Sequence, residues 1–184
     1  KNDWIRKHLQ RIQKRQQDER RERATPGVWF QGQCLPLTVV ESSAKPMVVH
    51  SDRGIMLRVH PGTDAGKRQA LLERWYRDKL TACLPALFAR YEPLMGVKVN
   101  EFRVRKMKTR WGTCNYRVGR IWINLDLVRR PPELLEYIVV HEMAHLLEPS
   151  HNRHFVARMD RYSPRWREHR RALRQYSLRF DPLG

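Results

Sequence analysis

His141-Glu142-Met143-Ala144-His145 constrains the fold most, because two imidazoles and a carboxylate stand inside an otherwise apolar run. Pro131 and Pro132 predict the start of a helix, where a missing backbone N–H costs nothing. Leu135, Ile138 and Val139 continue it, and Pro149 ends it by pushing Glu148 out of the helical region. Residues four apart on a helix share one face, with Cβ atoms about 5–6 Å apart, so His141 and His145 can share one metal ion. Burying such groups without partners is costly. The fold must therefore pack this helix on its apolar side and gather the polar groups into one site.

The donor set predicts zinc. That ion favours nitrogen ligands in tetrahedral geometry, and a catalytic site keeps three protein ligands and leaves the fourth position to water. His151 follows the break at Pro149 in a short turn that can double back, and is the expected third ligand. His154, Glu148 and Glu168 compete for that place, with His154 expected beside the ligands or in solvent. Glu142, next to the first ligand, is the expected general base toward a metal-activated water. Tyr137 and Tyr162 are candidate hydrogen-bond donors to a developing oxyanion.

Along the chain, Trp4, Ile5, Leu9 and Ile12 recur at helical spacing within a basic segment that Pro26 and Gly27 end. Strand composition follows at Val28 to Phe30, Leu35 to Val40, Met47 to His50 and Ile55 to Val59, separated by short turn signals that predict antiparallel hairpins. Ala65 to Arg90 carries a helical apolar stripe, with Pro85 a candidate kink. Strands are expected at Val97 to Val104, around Met107 to Cys114 and at Ile121 to Asn124. Helices are expected at about His151 to Arg161 and Pro164 to Tyr176. The expected fold is α+β and zincin-like, a small, mainly antiparallel sheet packed against the H-E-x-x-H helix. Residues 1–26 are expected to form a basic N-terminal helix and linker, read as the remnant of a longer N-terminal region, and 27–184 the catalytic domain.

The 184-residue chain is 41% hydrophobic and 30% charged, which is a globular composition, and no apolar run is long enough to cross a bilayer. A cytoplasmic protein is expected, without a membrane partner. The three cysteines, Cys34, Cys83 and Cys114, form no C-x-x-C pair, which predicts reduced, buried thiols rather than disulfides or a cysteine zinc site. The formal charge of +18 is concentrated toward the ends and attracts anions, so non-specific nucleic-acid binding through the basic termini is an expectation beside the peptide or protein substrate.

Two further motifs precede the helix, Lys108-Thr109-Arg110-Trp111-Gly112-Thr113-Cys114 and Ile121-Trp122-Ile123-Asn124-Leu125, and a third spans it, Tyr137 through Leu146 followed by His151 and Phe155. In this order they resemble the YgjP-like metallopeptidases, formerly a domain of unknown function, and more distantly the WLM and SprT-like zinc proteases. The resemblance runs over most of the chain from Trp4 onward. It implies metal ligands at His141, His145 and His151 and a catalytic base at Glu142, in agreement with the residues themselves. Val156 stands where the family commonly has Trp, and Thr113 where it has Ser. Neither is a ligand. Additional strands usually precede the segment matching Trp4-Ile5-Arg6 in the family. The 108–114 segment is expected to pack the sheet on the helix, or else to offer an edge strand to an extended substrate. The expected function is zinc-dependent peptide hydrolysis. Its rivals are metal-dependent hydrolysis of a nucleotide phosphoanhydride and a basic nucleic-acid-binding module with structural zinc.

Overall fold

A computed structural model describes residues 27–176. The basic helix expected within residues 1–26 lies outside the described residues. Strand β1 (Gly27–Phe30) turns at Gln31 and Gly32, both at positive φ (48° and 81°), into β2 (Gln33–Glu41). Such a two-residue turn matches the twist of a hairpin. Its tip is tied down by Gln31 N–H donating to the Val128 carbonyl at 2.9 Å and Gly32 N–H to that of Arg129 at 3.0 Å. A Cβ on Gly32 would meet Pro131 Cγ at 2.9 Å, so glycine lets the hairpin press against the start of the H-E-x-x-H helix.

β3 (Met47–Ser51) and β4 (Gly54–Val59) form a second hairpin, and the four strands lie in the order β1-β2-β4-β3. The expectation of antiparallel hairpins holds for β1–β2 and β3–β4, but β2 pairs with β4 in parallel. The chain crosses to the far edge as β3 before returning as the buried β4, whose Ile55, Leu57 and Val59 are 1–2% exposed. Residue alternation reports which face a strand buries and carries no information on its neighbour's direction.

Helix α1 (Ala65–Met95) starts at Asp64, whose carboxylate accepts from Lys67 N–H at 2.8 Å, and ends at Gly96 in the left-handed region. It extends past the expected end at Arg90 and passes through Pro85 and Pro93, both on its exposed side. The stripe Leu72, Tyr76, Leu80, Leu84, Phe88, Tyr91 and Met95 repeats every three to four residues and is buried throughout, so packing outweighs the two missing N–H groups.

A second sheet has β5 (Glu101–Arg105), β6 (Gly112–Asn115) and β7 (Arg120–Asn124) in the order β5-β7-β6. β7 is parallel to β5 and antiparallel to β6, a second departure from the antiparallel expectation. The expected strand from Met107 shrinks to Gly112 onward, because Asn124 holds the preceding loop away from the ladder: its Nδ2 donates to the carbonyls of Met107 (2.9 Å) and Arg110 (2.7 Å). A 3₁₀ turn (Leu125–Arg129) leads to α2 (Pro132–Ala144), then α3 (Arg153–Tyr162) and α4 (Trp166–Leu173). α2 is the centre of the core, with Val139, Val140, Met143 and Ala144 at 0% exposure. Among the described residues no helix is long and apolar enough to cross a membrane.

Candidate active site

α2 carries His141 and Glu142, each 5% exposed, into the core on its last turn, and His145 caps its C-terminus in helical geometry. The chain then turns through Glu148, Pro149 and Ser150, so that His151 returns alongside α2 before Asn152 starts α3. Asn152 Oδ1 caps that helix, accepting from the N–H groups of His154 (2.8 Å) and Phe155 (3.1 Å). One nitrogen from each of His141, His145 and His151 lies within 4.8 Å of the others. Nε2 of His151 and Nε2 of His141 are 3.2 Å apart, close enough to share a proton or a cation. His145 Nδ1 lies 3.1 Å from the Glu148 carbonyl, which favours a proton on Nδ1 and leaves the Nε2 lone pair free to ligate a metal.

Phe155 was not distinguished chemically by its residue type, yet its ring centroid lies 4.6 Å from His145, 4.7 Å from His151 and 4.9 Å from His141. It is 4% exposed and forms an apolar wall against all three imidazoles. Desolvation, together with the neighbouring imidazoles and the Arg170 guanidinium, holds His141 well below the usual histidine range. Burial also lowers His145, and burial with Arg170 lowers His151. Neutral imidazoles are the ligating form.

Glu142 lies against β6. Burial pushes its carboxyl up to about 8, opposed by the Arg110 guanidinium. A Cβ on Gly112 would meet Glu142 Oε1 at 2.6 Å and Cγ at 2.7 Å, so only glycine leaves room for this side chain. The 108–114 segment thus meets both of its expectations in part: Trp111 is 3% exposed and packs in the core, while β6 is an edge strand beside Glu142. Cys114, near Glu142, is raised to about 12 by burial first and by that carboxylate second, which keeps it a thiol. All three cysteines are free, but Cys83 is exposed and the other two only part-buried, so the expectation of buried thiols fails.

The rival third ligands are elsewhere. His154 is exposed; the Glu148 carboxylate accepts from Ser150 Oγ at 3.0 Å, and that of Glu168 pairs with Arg165 at 2.9 Å. Tyr137 is 1% exposed, its ring 6.0 Å from that of His141, while Tyr162 is part-buried beneath the Arg161 guanidinium. Gly112, Arg110, Phe155 and Arg170 escaped prediction as site residues because their roles arise from tertiary approach. Gly112 alone left a signal, as a glycine inside a strand pattern, which often marks a close approach.

The YgjP-like metallopeptidase domain family matches residues 1–176. Among solved structures, the metallopeptidase zymogen of Pyrococcus abyssi abylysin is similar at 21% identity and a TM-score of 0.45, over 48% of this chain and 90% of that one. No curated protein matches significantly.

Proposed function

The chain belongs to the YgjP-like metallopeptidase family, and from that premise we propose that it cleaves peptide bonds in peptide or protein substrates, using zinc held by His141, His145 and His151 and Glu142 as general base. The observation that carries this reading is the convergence of three imidazole nitrogens within 4.8 Å beside a buried carboxylate. Three neutral imidazoles suit zinc with an open fourth position. When bound, zinc supplies Lewis acidity and lowers the pKa of its water toward about 7.

The chain's own groups supply the rest. Glu142 takes the proton of the attacking water on a carboxylate oxygen and delivers it to the departing amine. Burial makes that carboxylate more basic than a free glutamate, and the bare Cα of Gly112 gives it a fixed place. Phe155 excludes water from one side of the imidazoles. An extended substrate would pair with the outer edge of β6, which no described strand covers.

Product profiling of the zinc-loaded protein against peptide, protein and nucleotide pools tests the proposal, with Glu142→Gln as the control. Peptide products from the wild type and a loss of about 10² to 10⁴-fold in the variant are expected, at unchanged zinc content by plasma emission spectroscopy. Equal rates in both proteins, or nucleotide products alone, would overturn it.

A further inference from the structure

We propose that the open edge of β6 selects acidic peptide segments, with Arg105 on the outer face of the sheet and Arg117 at the end of the strand meeting their carboxylates. The inference rests on the peptidase reading above and names a substrate class for it. Contact fixes β6 beside the reacting groups: its Gly112 abuts Glu142, and it is the edge strand of the order β5-β7-β6. Side chains alternate along a strand, so Gly112 and Cys114 face α2 while Thr113 and Asn115 face away from it. A peptide added to this edge gains affinity from main-chain hydrogen bonds, and its alternate side chains meet what stands on the outer face.

Thr113 lies opposite Trp122 of β7, and the exposed Arg105 guanidinium sits 4.4 Å from the centre of that indole ring, one strand in from the edge. At the far end of β6, Cys114, Asn115, Tyr116 and Arg117 line an open hollow of about 410 Å³, with the Arg117 guanidinium 5.9 Å from the Tyr116 ring. The turn that carries Arg117 is anchored. Asn115 Oδ1 accepts from Arg117 N–H at 3.2 Å, and Asn100 Nδ2 donates to the Val118 carbonyl at 3.1 Å. Nearby carboxylates are committed elsewhere: Glu101 to Arg103 and Arg120 at 2.6 Å each, and Glu73 to Lys106 at 2.9 Å. Cations without a carboxylate partner occur elsewhere on this basic chain, but these two flank a strand whose edge is open and whose other face touches Glu142. The outward residues between them, Thr113 and Asn115, are uncharged and repel no anion. Gly112 to Tyr116 spans about 13 Å of chain, so the hollow receives a side chain roughly four residues from the bond beside Glu142. Arginine's planar fork matches a carboxylate with two parallel hydrogen bonds, which a neutral peptide does not offer. A row of strand N–H and C=O groups pairs with a peptide backbone, which favours an acidic peptide over a nucleic acid.

The test measures binding apart from turnover, in the full zinc-loaded chain carrying Glu142→Gln. Fluorescent peptides of five Glu-Thr repeats and of five Gln-Thr repeats are titrated into it and followed by anisotropy. The Glu peptide is expected to bind about fivefold or more tightly. Adding Arg105→Gln or Arg117→Gln should weaken it about two- to fivefold each, the scale of an exposed ion pair, and the two together should erase the preference. Lys45→Gln removes the same charge from the loop between β2 and β3 and should change nothing. An equal loss in Lys45→Gln would reduce the effect to net charge and overturn the proposal. So would tighter binding of a ten-nucleotide oligothymidylate that the same two substitutions weaken, which would assign the face to nucleic acid. If the Gln variants do not fold, equal affinity of the parent chain for the Glu and Gln peptides is fatal by itself. Cleavage by the zinc-loaded wild type is then scored by mass spectrometry on a peptide pool with Glu or Gln at each position, and Glu is expected at alternate positions on one side of the cut. Cleavage without that enrichment fails this proposal alone. Preferential binding of the Glu peptide with no peptide cleaved fails the peptidase reading and leaves the acid-binding edge standing.

Discussion

A methyl group on Gly112 would occupy space that the Glu142 carboxylate fills, at 2.6 Å from Oε1. Backbone carries the glycine and a rigid helix carries the glutamate, so the side chain is the part that gives. Gly112→Ala is therefore expected to lower peptide hydrolysis by about 10²-fold or more, since a displacement near 1 Å of a reacting group has that scale of effect. Zinc content should stay at the wild-type level, because no ligand is touched. Measuring both quantities on one preparation checks this, and an unchanged rate would show that Glu142 has slack. The contrast between these neighbours explains what could be read at residue scale. His141 and His145 are related by helix geometry alone, and His151 by the proline break before it, so the sequence exposes all three. Gly112 and Phe155 meet the site only through packing of β6 and α3, which no local pattern encodes.

Between elements, Asn124 is the joint that sets where the second sheet ends and the loop before β6 begins. It is 1% exposed, donates to the carbonyls of Met107 (2.9 Å) and Arg110 (2.7 Å), and accepts from Asp126 N–H at 3.1 Å as the cap of the 3₁₀ turn. Asn124→Ala leaves two part-buried carbonyls without their side-chain donor, at about 1–3 kcal/mol for the pair because water reaches part of that surface. Chemical denaturation should show a loss of about 2 kcal/mol, and hydrolysis should fall further than stability because Arg110 lies on the freed loop and Gly112 follows it at the start of β6. The helices were legible from periodicity, including the long stripe of α1, and so were most strands, although the strand expected at Val97 to Val104 begins only at Glu101. Parallel pairing of β2 with β4 and of β5 with β7 was not, because a hydrophobic pattern defines faces and leaves partner and direction to the crossovers. The part of the loop from 107 to 111 was read as strand from its side chains, but Asn124 takes the carbonyls of Met107 and Arg110 that a ladder would use.

For the molecule as a whole, the charge of +18 bears on association rather than on fold, and the stability of the described domain turns on what happens at α2. In the proposed site, a metal held by His141, His145 and His151 would join α2 to the turn before α3. An ion that binds only the folded chain stabilises it by about 4 kcal/mol at a thousandfold excess over Kd. Chelation should therefore lower Tm by roughly 10 °C at constant pH, from about 2–4 °C per kcal/mol for a domain of this size. The metal-free protein should also acquire a pH dependence that Glu142 creates. Its folded carboxyl is raised from the ordinary 4.5 to about 8 by burial. The stability associated with the protonated form is thus fully present below about 4.5 and is lost as pH rises through about 8. The lowered imidazoles act in the opposite sense, losing stability as pH falls below 6.5, so the two effects must be separated by a variant. Chelated wild type and chelated Glu142→Gln share the histidines, and the difference between their melting temperatures isolates the carboxylate. That difference should shift against the wild type between pH 5 and about 8. With zinc restored, a dication beside the carboxylate stabilises its ionised form and the shift should vanish. A difference independent of pH in the chelated pair would mean that Glu142 is ionised and satisfied without the metal, and the burial argument for its basicity would fail.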